Sequence, residues 1–246
     1  GGFGGGTAFL AASVADTGER AVADIDWTCD RRECFDARGR PVLPDHFRRG
    51  QGSGGDPCGA LAVRLDVAAG ATAERTLLLG WAATPALARQ LARDAAAVVP
   101  GRRLHAALAR WDALLGATVV QTPDPLFDAL VNRWLLYQTV ACRLWAKAGF
   151  YQAGGATGFR DQLQDTSALT WAAPALLREQ LLRCASRQFA EGDVQHWWHE
   201  PLGAGVRTHF SDDLLWLPYA LALYLRRSGD VGVLDERRPF IEGLVI

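Results

Sequence analysis

Two adjacent carboxylates, Asp212 and Asp213, sit inside the run RTHFSDDLLW, residues 207–216, among aromatic and apolar neighbours. Two kinds of chemistry suit acids placed this way. Ser211, Asp212 or Asp213 can cap the free N–H groups of a helix beginning near Leu214. Alternatively, one acid is a proton donor at the mouth of a substrate pocket. A carboxyl beside aromatic rings is partly desolvated, which raises its pKa and keeps a proton available near neutral pH. The two readings are compatible, since one Asp can cap while the other works.

A second group lies upstream. In GFRDQLQD, the side chains Arg160, Asp161, Gln162, Gln164 and Asp165 fall within six residues, after a glycine-rich approach. Carboxylate, guanidinium and amide together suit hydrogen bonding to a polyhydroxylated ligand. The plainer alternative is a helix N-terminus with acids in its first turn and an arginine ion pair. Between the two groups lies QHWWHEP, residues 195–201. Trp197 and Trp198 offer flat apolar faces on which sugar C–H groups stack, or else they are core residues. His196 and His199 are three apart, but a metal site needs more ligands, and none is convincingly spaced, so they read as core or pocket-wall residues. No metal is expected.

These groups must be positioned by the surrounding elements. Residues 1–83 read as strands and turns: TAFLAASV, GERAVADIDW, ALAVRLDVAAG and ERTLLLGWAA are short apolar or alternating runs. In the third, Leu61, Val63, Leu65 and Val67 fall on one face. A long loop rich in Gly, Pro and charge, residues 31–58, separates them. This part reads as the end of a β-sandwich. At Thr84-Pro85 the period changes: Thr84 suits an N-cap and Pro85 the first helical position. Residues 84–117 then carry two helical stripes, divided at Pro100-Gly101, and read as a helical linker. Residues 118–246 are mostly helical in pattern. PLFDALVNRWLLYQTVACRLWAKA predicts one long helix, amphipathic to fully apolar and buried; SALTWAAPALLREQLLRCASRQFAEGD a second, interrupted at Pro174; and LLWLPYALALYLRRSGD a third, closed by Gly229. The chemistry-bearing stretches fall in the long loops between helices, where function concentrates. Helices joined by such loops suggest an α-helical toroid with a site at one rim.

Composition excludes several function classes. Of 246 residues about half are apolar, and the formal net charge is −1, as in ordinary globular domains. Nucleic acid is not an expected partner. Basic residues are nearly all Arg, with Lys147 the single Lys, which points to codon bias rather than a phosphate-binding surface. The five cysteines form no C-x-x-C pair, so scattered reduced thiols and a cytoplasmic setting are expected. No apolar run approaches the roughly 20 residues of a transmembrane helix. There is no Met, and the chain opens GGFGGGTAFLAAS and ends RRPFIEGLVI; it reads as an internal piece of a longer polypeptide.

The three stretches recur in one order: YQ-x-GG-x-x-GFRDQLQD, then GDVQHWW, then RT-x-x-SDDLLWLP. That order resembles glycoside hydrolase family 94, the inverting β-glucoside phosphorylases once classed as glycosyltransferase family 36. The resemblance is strongest to the phosphorylase-like carboxy-terminal module of cyclic β-1,2-glucan synthases, and over residues 149–230. It implies a multidomain α+β chain: a β-sandwich (supersandwich), a helical linker, then part of an (α/α)6 barrel. It also implies roles. Asp212 matches the general acid, which protonates the glycosidic oxygen while phosphate attacks the anomeric carbon from the opposite face. One carboxylic acid suffices, because phosphate replaces the base-activated water of an inverting hydrolase. Asp213 is then the better capping candidate. Asp161 matches an acid that binds glucose hydroxyls, with Arg160 orienting it or reaching the ligand. Gln164, Asp165, Trp197, Trp198, Phe210 and Asp213 complete the expected substrate-binding set. Phe210 stands where some members carry Trp. Cellobiose-type members carry an Arg in the loop before FRD; here AGGATG has none, which argues against cellobiose.

The resemblance implies no cofactor, with inorganic phosphate as co-substrate and a β-glucan oligosaccharide as partner. The family's phosphate-binding groups lie mostly in the later barrel, so the remainder of the same polypeptide is expected to complete the site. The parent is expected to be cytoplasmic, or its cytoplasmic part to carry this segment on a membrane anchor. A partial barrel leaves apolar helix faces exposed, which predicts poor solubility or inactivity for the segment alone. Two other readings stand beside phosphorolysis: a glucan-binding or chain-length-gauging module without turnover, and an inverting hydrolase with a second carboxylate as base.

Overall fold

The computed structural model describes residues 5–13, 25–42, 44–49, 56–146 and 154–242. They fall into two compact units that divide between Ala106 and Ala107, within the segment 84–117 read as a linker. The part of the GERAVADIDW stretch before Ile25 and the residues Tyr151 and Gln152 lie outside the described residues.

The first unit is built on two antiparallel ribbons. β1 (Thr7–Ser13) pairs with β4 (Thr76–Ala82), and β2 (Ile25–Asp30) with β3 (Pro57–Val63). Alternation decides which side chains are buried: in β4, Leu78 and Ala82 are buried while Leu77, Leu79 and Trp81 are exposed. Gly80 is required because the Phe9 ring lies across it, where a Cβ would collide. An apolar cleft of about 770 Å³ lies between the ribbons, lined by Phe9, Leu10, Trp27 and Leu61 among others. The expected strand through Leu65 and Val67 stops at Val63, the partner of Ile25 and the last registered pair of the ladder. Beyond it the backbone loses its ladder partner, and Leu65 and Val67 are exposed. The charged loop after β2 is ordered by its acids. Asp36 accepts from the N–H groups of Arg38 and Arg40, and Glu33 from that of Arg48. The thiols of Cys34 and Cys58 are neighbours rather than scattered; burial, then Cys34, pushes the Cys58 thiol up.

Thr84 caps α1 (Pro85–Ala96), its hydroxyl accepting from the Leu87 N–H at 3.3 Å, with Pro85 in the first turn. α2 (Pro100–Leu115) begins at Pro100.

The second unit, from Ala107, is helical with one small sheet. Asp124 caps α3 (Pro125–Ala129), accepting from the N–H groups of Leu126 and Phe127. Helical backbone continues through π-type turns at Leu130–Trp134, α4 (Leu135–Gln138) and further π-type turns at Thr139–Ala146. Such widened turns are common at functional sites. The run is amphipathic, one of the two patterns expected of it, but it is only partly buried. Leu136 and Val140 are buried; Leu126, Phe127 and Trp134 are exposed. β5 (Ala156–Gly158) leads into α5 (Phe159–Thr166). A 3-10 turn, Ser167–Thr170, precedes α6 (Pro174–Ala185). Pro174 starts this helix rather than interrupting one, since the first position needs no N–H partner.

The segment read as a loop after α6 forms a hairpin of β6 (Val194–His199) and β7 (Ala204–Thr208). β5 adds to it, giving a three-stranded antiparallel sheet in the order β5-β6-β7. α7 (Asp213–Ser228) follows and ends on Gly229, whose left-handed φ of 67° suits glycine. One core gathers Phe159 and Leu163 of α5, Leu177 and Leu181 of α6, Val194 and Trp198 of β6, and Ala220 and Tyr224 of α7. Each fully buried Leu or Phe contributes about 1.5–3 kcal/mol. Cys184 lies in that core, and burial pushes its thiol up to about 12, which leaves it inert. Among the described residues, no helix is long and apolar enough to cross a membrane.

Candidate active site

The core fixes α5 against β6 and α7, and the candidate residues project from their edges. A cavity of about 600 Å³ opens there. One wall is Gly154, Ala156, Gly158, Arg160, Asp161 and Gln164; the other is His196, Trp197 and His199. Gly158 precedes α5 with no side chain to cap it, and the Asp161 carboxylate folds back toward it. A Cβ on Gly158 would come within 2.9 Å of Asp161 Oδ2, so glycine makes room for the acid.

Asp161 and Asp165, one helical turn apart on α5, share a cation. Arg143, from the π-type turns, donates from Nε to Asp165 Oδ2 at 2.5 Å and stands 3.6 Å from Asp161 Oδ2. Two like charges at this spacing repel; one guanidinium between them removes the penalty. Asp165 is thus engaged with Arg143 and lies outside the cavity lining, whereas Asp161 lines it. Arg160, on the same cavity wall, reaches the start of α7. Its guanidinium donates to Asp212 Oδ2 at 2.6 Å and lies 5.6 Å from the Trp216 ring centre. Its Nε also donates weakly to Gln164 at 3.4 Å. Asp212 therefore stands beside the cavity, joined to its wall through Arg160.

The two neighbouring acids have different surroundings. The Asp212 side chain is 47% exposed, so it is not the desolvated member of the pair. Asp213 is 1% exposed, and its Oδ2 lies 2.7 Å from His196 Nδ1. Neither caps α7: Asp212 occupies the cap position without a side-chain bond to the helix N–H groups, and Asp213 is spent on His196. The expectation that Asp213 caps is corrected by that imidazole. Asp213, from the expected binding set, is buried and stands behind His196 rather than in the cavity lining.

The tryptophan pair divides in the same way. Trp197 lines the cavity, edge-on to His199 at 5.4 Å. Trp198 is fully buried in the core, with its indole N–H donating to Glu200 at 2.9 Å. It has no face left for a sugar, so the stacking role expected of it is corrected: it is a core residue. Phe210 is 56% exposed and packs against the His196 ring at 4.9 Å. Among the described residues, no three His, Cys, Asp or Glu side chains converge as metal ligands.

Residues 110–243 match the catalytic domain of the glycosyl hydrolase 94 superfamily, and residues 2–98 match that family's supersandwich domain. The first match alone covers more than half of the chain. The chain belongs to the glycosyl hydrolase 94 family. Its ribbons are the supersandwich part, and the cavity lies in the catalytic-domain part. Cyclic beta-(1,2)-glucan synthase NdvB of Rhizobium meliloti (strain 1021) is 44% identical over 88% of this chain, which spans 8% of that protein. Solabiose phosphorylase of Paenibacillus borealis is 31% identical over 63% of the chain and 19% of its own length. N,N'-diacetylchitobiose phosphorylase of Vibrio furnissii is 27% identical over 54% of the chain and 20% of its own length. The chain thus spans a fifth or less of each of these relatives. They join glycosyl hydrolase 94 sequence to glucan synthesis and to phosphorolysis of sugar linkages by name.

Two residues of the site were not singled out from the sequence: Arg143, and Trp216 beside Arg160. Arg143 left a trace, a lone cation in the apolar run TVACRLWA. Trp216 falls four residues after Asp212, the spacing that brings α7 side chains to one face.

Proposed function

We propose that this segment contributes the glucosyl-binding and proton-donating part of an enzyme that acts on β-1,2-linked glucan by inverting phosphorolysis or glucosyl transfer, with Asp212 as the general acid. The observation that carries the reading is the Arg160–Asp212 contact of 2.6 Å beside a cavity that also holds Asp161 and Gln164. A carboxyl group, a guanidinium and an amide converge on one space of sugar size. Trp197 supplies an aromatic wall to it. The 44% identity to a cyclic beta-(1,2)-glucan synthase favours the β-1,2 linkage.

Asp161 accepts hydrogen bonds from hydroxyls of the glucosyl unit, and Arg143 holds its carboxylate in place. Arg160 holds Asp212 until sugar hydroxyls compete for the guanidinium. Asp212 is then free to turn to the glycosidic oxygen and donate its proton as that bond breaks. Phosphate attacks the anomeric carbon from the opposite face, and no base is needed, because phosphate is already an anion. Phosphate is the co-substrate, and no cofactor takes part. Groups that bind phosphate come from the rest of the polypeptide, which also completes the (α/α)6 barrel.

The test uses the full-length parent protein with β-1,2-glucooligosaccharides, with and without phosphate. The expected outcome is phosphate-dependent release of α-glucose 1-phosphate, the inverted anomer, identified by NMR. Retained glucan binding without turnover would move the reading to a binding or length-gauging module. Phosphate-independent release of glucose would move it to a hydrolase.

A further inference from the structure

Resting on that reading, we propose that His196 is a sugar-contacting residue whose Nε2 hydrogen-bonds a hydroxyl of the glucosyl unit, and that Asp213 is its positioning residue. Asp213 is 1% exposed; its Oδ2 meets His196 Nδ1 at 2.7 Å, and its Oδ1 is buried without a partner among the described residues. A buried carboxylate is costly unless it is paired. It does not cap α7, so the imidazole is its one described hydrogen-bond partner.

That bond sets the ring. A carboxylate accepts, so Nδ1 carries the proton, and the tautomer and ring rotation are fixed together. The two ring nitrogens point to nearly opposite sides of an imidazole. With Nδ1 turned to the buried acid, Nε2 is turned away from it, and His196 lines the cavity. Nε2 has no hydrogen-bond partner among the described residues. Phe210 packs on the ring at 4.9 Å and limits its movement further.

The strand itself is adapted to this. Gln195 pairs with Arg207, but Trp197 pairs with Val206, so His196 is the extra residue of a β-bulge. Bulges re-aim side chains next to active sites. Here the bulge lets two consecutive residues, His196 and Trp197, both reach the cavity, while Gln195 and Trp198 go to the interior. A regular strand would send one of the pair to the other face.

Two substitutions separate contact from support. Gln places its amide near the position of Nε2, and Asn places its amide near Nδ1. The full-length protein is titrated calorimetrically with β-1,2-glucooligosaccharides, and kcat and KM are measured where turnover occurs. His196→Asn is expected to weaken glucan affinity about tenfold, the loss of one hydrogen bond to a polar ligand, with KM rising more than kcat falls. His196→Gln is expected to stay within about threefold of wild type, by the same hydrogen-bond magnitude. His196→Ala, with near-ultraviolet circular dichroism to confirm folding, is a second variant expected to match Asn. The opposite pattern, with Asn retained and Gln lost, would make His196 a mere prop for Asp213 and overturn the proposal. So would unchanged affinity in both Asn and Ala variants. The affinities do not depend on phosphorolysis: a wild type that binds glucan but releases no glucose 1-phosphate overturns the function proposed above, and the His196 comparison still decides this one. A wild type that binds no β-1,2-linked glucan overturns both.

Discussion

Arg143 serves two carboxylates at once, Asp165 at 2.5 Å and Asp161 at 3.6 Å. Removing it leaves like charges one turn apart on α5, one of them in the cavity. Arg143→Gln is therefore expected to raise KM for glucan about tenfold, the worth of one charge-assisted hydrogen bond, and to lower kcat less. Arg143→Lys is expected to recover part of this, because a point charge cannot serve two acids as a planar fork does. Steady-state kinetics of the parent protein check both, and an unchanged KM in the Gln variant would contradict the role. At this scale the sequence was informative about type and weak about partner. Asp161 and Asp165 stand one turn apart on α5, in a stretch whose plainer reading was a helix N-terminus. Their shared cation lies on a different element, about which spacing says nothing. The division of labour between Asp212 and Asp213, and between Trp197 and Trp198, depends on which neighbour the packing buries. A doublet in the sequence does not encode that.

The β6–β7 hairpin carries His196 and Trp197, so its stability is the site's stability. Gly205 faces the Trp197–Trp198 backbone so closely that a Cβ would run into the Trp197 carbonyl oxygen. Gly205→Ala is expected to cost about 1–3 kcal/mol through overpacking, and to weaken glucan affinity with it, both measurable by urea unfolding and calorimetry. The hairpin is also tied at its base. Arg207 donates to both oxygens of Asp193 at 2.5 Å, and this holds the Asp193 carboxyl below the usual carboxylate range. A depressed folded-state value stabilises the fold above the unfolded-state pKa, about 3.9 for Asp. That stabilisation is lost as pH falls through the lower, folded-state value. Asp193→Asn is thus expected to lower stability at neutral pH and to flatten its fall below about pH 4, checked by unfolding across pH. The hairpin was illegible in advance because its bulge breaks the alternation that marks a strand. The capped helices were legible, since Thr84-Pro85 and Gly229 act locally.

Across the whole chain, the order of strands first and helices after was readable from the change of period at Thr84-Pro85. Both family matches, residues 2–98 and 110–243, follow that order. Less legible was how much apolar surface the helices leave uncovered, because periodicity marks a stripe and not what covers it. Leu108, Leu126, Trp134 and Tyr137 line an exposed apolar groove within the helical unit. A patch of this kind drives association. The isolated 246-residue chain is expected to self-associate in sedimentation velocity, and Leu126→Glu with Trp134→Gln to reduce it. A monodisperse monomer from the unaltered chain would contradict this.

Proton donation by Asp212 is tested by comparing substrates that differ in their need for it. The full-length protein and its Asp212→Asn variant are assayed for phosphorolysis of a β-1,2-linked glucan and of an aryl β-glucoside whose leaving group needs no protonation. The variant is expected to lose about 10²–10⁴-fold on the glucan, the usual contribution of a general acid, and to retain most of its rate on the aryl glucoside. An unimpaired rate on glucan, or equal losses on both substrates, would contradict it.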